Sequence, residues 1–307
     1  MIAVRHTCYL LLGVVATVFL VLSNRFVLNS VGRGPFSASG LAFAHNLCTF
    51  AVIRRPSSTV APATATIPKY VFPLVSLLST FSLLTSNILL SAGGVSLHQL
   101  ARVLSMPVGA ILDIIFDGKR RSNLEYVLIC TIFCCASMTL KELDVVSLVL
   151  SLLLCAFIAT YLATALAIRC IARTYEISSD TILVHILPYT IAISGFICVL
   201  TLAVELRASW PVVTPLFASV LFVNCCLAVI VQHSSTWTMK HSSLVLYATL
   251  GQVKTALTIV LAVHIFGEKV TSRAWLSVTG IIIFGCTLAL VENSLASEDV
   301  CKDNRLL

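Results

Sequence analysis

A lysine at position 254 stands in the middle of an apolar run, residues 242–266, that is long enough to cross a bilayer. A charge at the centre of such a helix costs about 2.5–3.5 kcal/mol on insertion scales, so its presence there calls for a partner or a task. On a helix, steps of three and four put Tyr247, Gly251, Lys254, Thr255 and Thr258 on one face. That stripe carries an aromatic ring, a bare stretch of backbone, an ammonium and two hydroxyls. Two further cations lie inside apolar runs. Arg102 is seven residues into the run 95–116, about 10 Å deep at the helical rise. Arg25 is five residues from the end of the run 8–30, so it can either snorkel to the interface or face inward. The carboxylates Asp113, Asp117, Glu125, Glu268 and Glu292 all cluster near the ends of runs. Deep cations without deep carboxylates invite an anion, and their number suits a diphosphate.

Polar neighbours extend the pattern. His98, Gln99 and Arg102 fall within one turn, with His98 and Arg102 on one face. Asn24 adjoins Arg25, and His45, Asn87 and Asn224 each sit inside an apolar run. Amides read the edges of a base or the hydroxyls of a sugar. Each alone is as well explained by a hydrogen bond between helices in a membrane. Together they describe a polar cavity, which apolar packing does not require.

The elements that must position these residues follow from composition. Of 307 residues 58% are hydrophobic and 11% charged, with mean hydropathy +1.01, against about 25% charged in a soluble domain. An all-α integral membrane protein is expected. The first apolar run is too long for a signal-peptide core and has no small-residue cleavage pattern after it, so it reads as a retained span, and no transit peptide precedes it. The twelve cysteines are scattered through apolar runs, with no C-x-x-C pair and no Cys/His ligand cluster. They read as small apolar residues, with no metal or other cofactor implied.

Ten transmembrane helices are expected, at roughly 8–30, 36–53, 70–92, 95–116, 123–139, 146–168, 180–203, 213–236, 242–266 and 272–292. They form a single transmembrane domain over 1–292. The stretch Arg54 to Lys69 is the longest linker, and the polar tail 293–307 is expected to be disordered. Twelve Lys and Arg lie at the span ends on the side of the N-terminus and five on the other; the remaining three of the twenty are Arg25, Arg102 and Lys254. The positive-inside rule then places both termini in the cytosol. The two halves also resemble each other. One carries Arg102 before Phe116-Asp-Gly-Lys119, the other Lys254 before Phe266-Gly-Glu-Lys269. Five spans per half is an odd number, so the second copy enters upside down. This predicts two five-helix inverted-topology repeats, about 8–139 and 146–292, an arrangement common in transporters.

At this point the residues resemble a family. Tyr247-x-x-x-Gly251-x-x-Lys254-Thr255 followed by Phe266-Gly-Glu-Lys-Val-Thr271 is similar to the ninth-span signature of the nucleotide-sugar and triose-phosphate translocators of the drug/metabolite transporter superfamily. Ser23-Asn24-Arg25-Phe26 resembles their first-span Asn-Lys motif, Phe36 to His45 their second-span stretch ending in His, and Ser96-Leu-His98-Gln99-Leu-Ala-Arg102 their Phe-Tyr-Gln-x-x-Lys. The Lys-Thr pair is similar to the branch that carries UDP-galactose, UDP-xylose or UDP-rhamnose; plastid phosphate translocators have Lys-Arg there. This sequence departs from the pattern in having Arg at 25 and 102 in place of Lys, His98 in place of Tyr and Leu244 in place of Pro.

The resemblance implies an antiporter in the Golgi or endoplasmic-reticulum membrane that exchanges a cytosolic UDP-sugar for UMP. Lys254, Arg102 and Arg25 would hold phosphate. Tyr247, Gly251, Thr255, Gln99, His98, Asn24, His45, Asn87 and Asn224 would shape the pocket. The partners implied are the two nucleotides and the lipid bilayer, with no nucleic acid; a homodimer is compatible with the sequence. A carrier of phosphorylated metabolites or other organic anions is the alternative within the superfamily. Outside it stand a membrane-embedded transferase or a receptor. No metal-ligand spacing or paired acid and base appears in the loops, so no enzymatic activity is expected.

Overall fold

The computed structural model describes residues 2–30, 38–53, 67–118, 122–142, 148–205, 215–241, 244–267 and 271–303. Among them all regular structure is helical: α1 (Ile2–Ser30), α2 (Ala38–Ile53), α3 (Val71–Asp117), α4 (Asn123–Glu142), α5 (Leu148–Thr174), α6 (Ser179–Glu205), α7 (Pro215–His241), α8 (Leu244–Phe266) and α9 (Ser272–Asp303). Helix α3 is broken at Gly94, whose φ of 77° and ψ of 178° leave the helical region. A side chain would be strained at that φ, and the second glycine of Gly93-Gly94 permits it. With α3 counted as two segments, helix stands at each of the ten positions expected.

Five of these segments are long and apolar enough to cross a membrane by length and composition: Val71–Val95, Leu97–Phe116, Leu148–Thr174, Thr181–Ala203 and Pro215–Thr238. The apolar stretches Leu12–Leu28, Ala38–Ile53, Asn123–Cys135, Lys254–Phe266 and Trp275–Leu288 are shorter. Large apolar side chains such as Leu148, Leu216, Phe222, Leu276 and Leu290 stand exposed, while Asn46, Ser76, Thr80, Asn224 and Thr258 are buried. Apolar outside and polar inside is the reverse of a soluble protein and compatible with a multi-pass membrane protein.

One expectation is corrected. Helix α9 runs on to Asp303, where a disordered tail was expected from residue 293. The extension holds Leu, Ala, Glu and Lys and no Gly or Pro, so polarity there ends the apolar run without ending the helix. Most of the Arg54–Lys69 linker, Phe36, Lys119 to Arg121, Glu268 and Lys269 lie outside the described residues, as does the side chain of Tyr247.

The chain forms two compact units. The first comprises Met1–His98 and Ser147–His241, the second Gln99–Val146 and Ser242–Leu307. In the first unit α1 packs on α7, α2 on α6 and α7, and α5 on α6 and α7. Phe72 and Val75 of α3 share an apolar cluster with Ile168 and Ile171 of α5 and Ile182 and Ile186 of α6. In the second unit α4 and α8 both pack on α9. There Ala256 and Ile259 meet Val278, and Ser277 Oγ donates to the Cys135 carbonyl. Helix ends follow local chemistry. Ser122 and Glu125 form a reciprocal capping box at the start of α4. Gly118 (φ 61°) and Gly267 (φ 64°) follow the ends of α3 and α8 in the left-handed conformation that terminates helices.

Candidate functional site

In the second unit α8 and the later part of α3 bring five of the expected residues together: Gln99, Arg102, Gly251, Lys254 and Thr255. Gly251, Thr255 and Thr258 are buried and Lys254 is partly buried. A methyl group placed on Gly251 would meet no atom within 4 Å, so the bare backbone borders open space although the residue is buried. The two threonines use their hydroxyls differently. Thr258 Oγ1 donates to the Lys254 carbonyl at 2.7 Å, within its own helix. Thr255 Oγ1 donates to Gln99 Oε1 at 3.1 Å. Gln99 and Thr255 are only 1% and 2% exposed, which shields this bond from water. Since the bond occupies the Gln99 carbonyl, the two amide N–H groups of Gln99 remain as donors.

Arg102 lies one turn beyond Gln99, whose bond to Thr255 ties this segment to the turn of α8 that carries Lys254. Its Nε is buried and has no hydrogen-bond partner among the described residues. Among those residues no carboxylate is paired with Arg102 or Lys254 either. Cations held in an apolar setting raise the energy of an empty site, and a bound anion lowers it.

In the first unit a different arrangement holds the amides. Asn224 is fully buried and its Nδ2 donates to Ser23 Oγ and Asn24 Oδ1, both at 2.7 Å. Its Oδ1 is hydrogen-bonded to His45 Nε2. With both N–H groups of Asn224 used, its oxygen must accept, so His45 donates through Nε2. The cluster ties α1, α2 and α7 together and leaves Asn224 no donor for a ligand. Asn87 Nδ2 donates to the Ala38 carbonyl at 3.2 Å, joining α3 to the start of α2. His98 Nε2 is hydrogen-bonded to Ser86 Oγ at 2.8 Å, and its ring lies 5.9 Å from that of Phe157, which stacks on Tyr161. Arg25 Nη1 donates to the carbonyls of Leu90 and Ser91 at 2.7 and 2.9 Å.

A second chain of polar groups escaped the sequence reading. Gln232 Nε2 donates to Asn46 Oδ1 at 3.2 Å, and Asn46 Nδ2 donates to Ser194 Oγ at 3.5 Å. The signal was present, since both amides lie in apolar runs, but they match no motif and their partners come from distant helices.

Comparison with known proteins gives the fold only. No family profile matches the sequence. No curated protein matches it either. Among solved structures, one described as "Crystal structure of protein" is similar over 92% of this chain and 98% of its own, with TM-score 0.67 and 17% identity. At that identity the likeness shows a shared architecture across nearly the whole chain and says nothing of a ligand.

Proposed function

We propose that the protein is an antiporter that moves a UDP-sugar across the Golgi or endoplasmic-reticulum membrane in exchange for UMP. The observation that carries this reading is the Thr255–Gln99 bond, which joins the two helix faces that carry Lys254 and Arg102, beside open space at Gly251 and with no carboxylate partner for either cation among the described residues. A phosphate group bridging them would offset the cost of holding each in an apolar segment. The Gln99 amide, fixed by Thr255, supplies donors for phosphoryl or base oxygens. The choice of a UDP-sugar rests on the resemblance of Lys254-Thr255 to that branch of the translocators.

Ten spans in two inverted repeats form part of the same proposal, and the helix pairing supports them. Numbered within each half, the first segment of the first half (α1) packs on the third of the second (α7). The third of the first half, the start of α3, shares its apolar cluster with the first of the second, α5. The second segments pair with each other, α2 on α6, as do the fifth, α4 on α9. Exchanging the halves maps this set of pairs onto itself, as a twofold relation requires. The left-handed glycines after the two fourth segments, Gly118 and Gly267, match in the same way. Both termini would lie in the cytosol by the charge asymmetry of the span ends.

Exchange has a physical basis in this site. With no anion bound, the cations must pass unpaired through a closed state, so reorientation is favoured only when the site is loaded. Proteoliposomes preloaded with UMP should take up labelled UDP-sugar faster than empty ones, and the label should be recovered unchanged. Equal uptake into empty vesicles would sink exchange; recovery as a product would replace a carrier with an enzyme.

A further inference from the structure

The cysteines take no part in the site proposed above. Among the described side chains ten are free thiols. Cys134 and Cys135 are neighbours in one helix, as are Cys225 and Cys226. Such neighbours point about 100° apart around the helix, and Cα atoms about 3.8 Å apart are closer than a disulfide ordinarily allows. Cys48 and Cys225 are placed differently, on two helices of the first unit, α2 and α7. These helices pack on each other, and the bond between His45 Nε2 and Asn224 Oδ1 fixes where they meet. Cys48 follows His45 by three residues, which keeps it on the same face of α2, and Cys225 follows Asn224 directly. The two thiols are hydrogen-bonded to each other. A second bond, from Gln232 Nε2 to Asn46 Oδ1, joins the same helices and opposes any rotation that would separate the thiols.

Their access differs. Cys225 is buried, whereas Cys48 is partly exposed, so a small oxidant meets Cys48 first. An accessible thiol beside a second thiol that can resolve it is the arrangement from which a reversible disulfide forms. We propose that Cys48 and Cys225 are a redox modification site, at which a membrane-permeant peroxide yields a disulfide that staples α2 to α7. The Cys48 sulfur attacks a peroxide oxygen, and the O–O bond breaks to leave a sulfenic acid and one water. The Cys225 sulfur then attacks the Cys48 sulfur. The S–S bond forms, the S–O bond breaks, and the hydroxyl leaves with the Cys225 proton as a second water. Two thiols are oxidised by two electrons in all, and one hydrogen peroxide is reduced to two waters. The staple ties two helices that are already packed, and it is independent of the nucleotide reading.

The test is a hydrogen peroxide titration of the purified full-length protein, read by mass spectrometry. After each dose the protein is unfolded in dodecyl sulfate, its remaining thiols are blocked with iodoacetamide, and it is digested without reductant. By the dose that oxidises half of Cys130, an exposed thiol of α4, Cys48 and Cys225 should have lost their alkylation together. They should appear as one linked peptide pair, two hydrogens lighter than its parts, and dithiothreitol should restore both thiols. In Cys48→Ser, Cys225 should stay alkylated at the same dose, because the thiol that meets the oxidant is gone. Full alkylation of both cysteines in the native protein at that dose overturns the proposal, as does a link from either to any other cysteine. Oxidation of Cys225 in Cys48→Ser to the native extent also overturns it. Should that variant not fold, the linked pair in the native protein, or its absence, decides the matter alone.

Discussion

Replacing Thr255 by Val tests the site at its most constrained bond. Valine keeps the branched shape and removes only the hydroxyl, so the packing of α8 is preserved while Gln99 Oε1 loses its donor. That oxygen belongs to a residue 1% exposed, where water does not readily replace the lost partner. An unsatisfied buried acceptor costs about 1–3 kcal/mol, and polar contacts between membrane helices average lower, about 0.6 with a maximum near 1.7 kcal/mol. A loss of roughly 1–2 kcal/mol corresponds to a factor of about 5–30. If the Gln99 amide holds the substrate, that factor falls on binding. Thr255→Val should raise the KM for UDP-sugar about 5–30-fold with the maximal rate within about twofold of native. Thr255→Ser keeps the donor and should restore most of the affinity. The assay is initial-rate exchange in UMP-loaded proteoliposomes at matched protein content. A native KM in Thr255→Val, or a Ser variant as impaired as the Val variant, would refute the reasoning, the first by removing Gln99 from the site and the second by assigning the effect to the methyl group.

Two other outcomes follow from the same geometry. Asn224→Leu deletes three hydrogen bonds and leaves His45, Ser23 and Asn24 facing an apolar side chain; the loss of roughly 2–4 kcal/mol should lower the melting temperature by about 5–10 °C, and an unchanged melting curve would show that the cluster does not hold α1, α2 and α7 together. Gly251→Val introduces a side chain into open space, so the protein should fold with a native melting temperature while exchange falls at least about tenfold through obstruction of the site; native exchange would mean that the space beside Gly251 is not on the substrate's path.

Much of the helical pattern is legible from the sequence because apolar runs in a chain this poor in charge have few interpretations. The Lys254 stripe follows from helical periodicity alone, and Gly251, Thr255 and Thr258 are buried on the face that periodicity gave them. The limits of α9 are not legible in the sequence, because loss of hydropathy beyond 292 does not mark loss of helix where no Gly or Pro breaks it. The break in α3 could be suspected from Gly93-Gly94, but the side chain that bonds the turn before it, Arg25, lies some seventy residues earlier. The amides show the same limit. Asn24, His45 and Asn224 could each be singled out as polar groups in apolar runs, yet only the fold shows that they satisfy one another. Gln99 and Thr255 were separate candidates in sequence; their hydrogen bond makes one a donor array and the other its anchor.

The central claim is that Arg102 and Lys254 are retained in apolar helices to hold the phosphates of a nucleotide. Titration calorimetry of the purified protein with UMP and with uridine, repeated on Lys254→Ala, tests it most directly. Two charge-assisted hydrogen bonds at about 1.5–3 kcal/mol each predict that UMP binds at least about 100-fold more tightly than uridine, and that Lys254→Ala loses most of that preference while leaving uridine binding in place. Equal affinities for UMP and uridine, or a preference that survives Lys254→Ala intact, would contradict it.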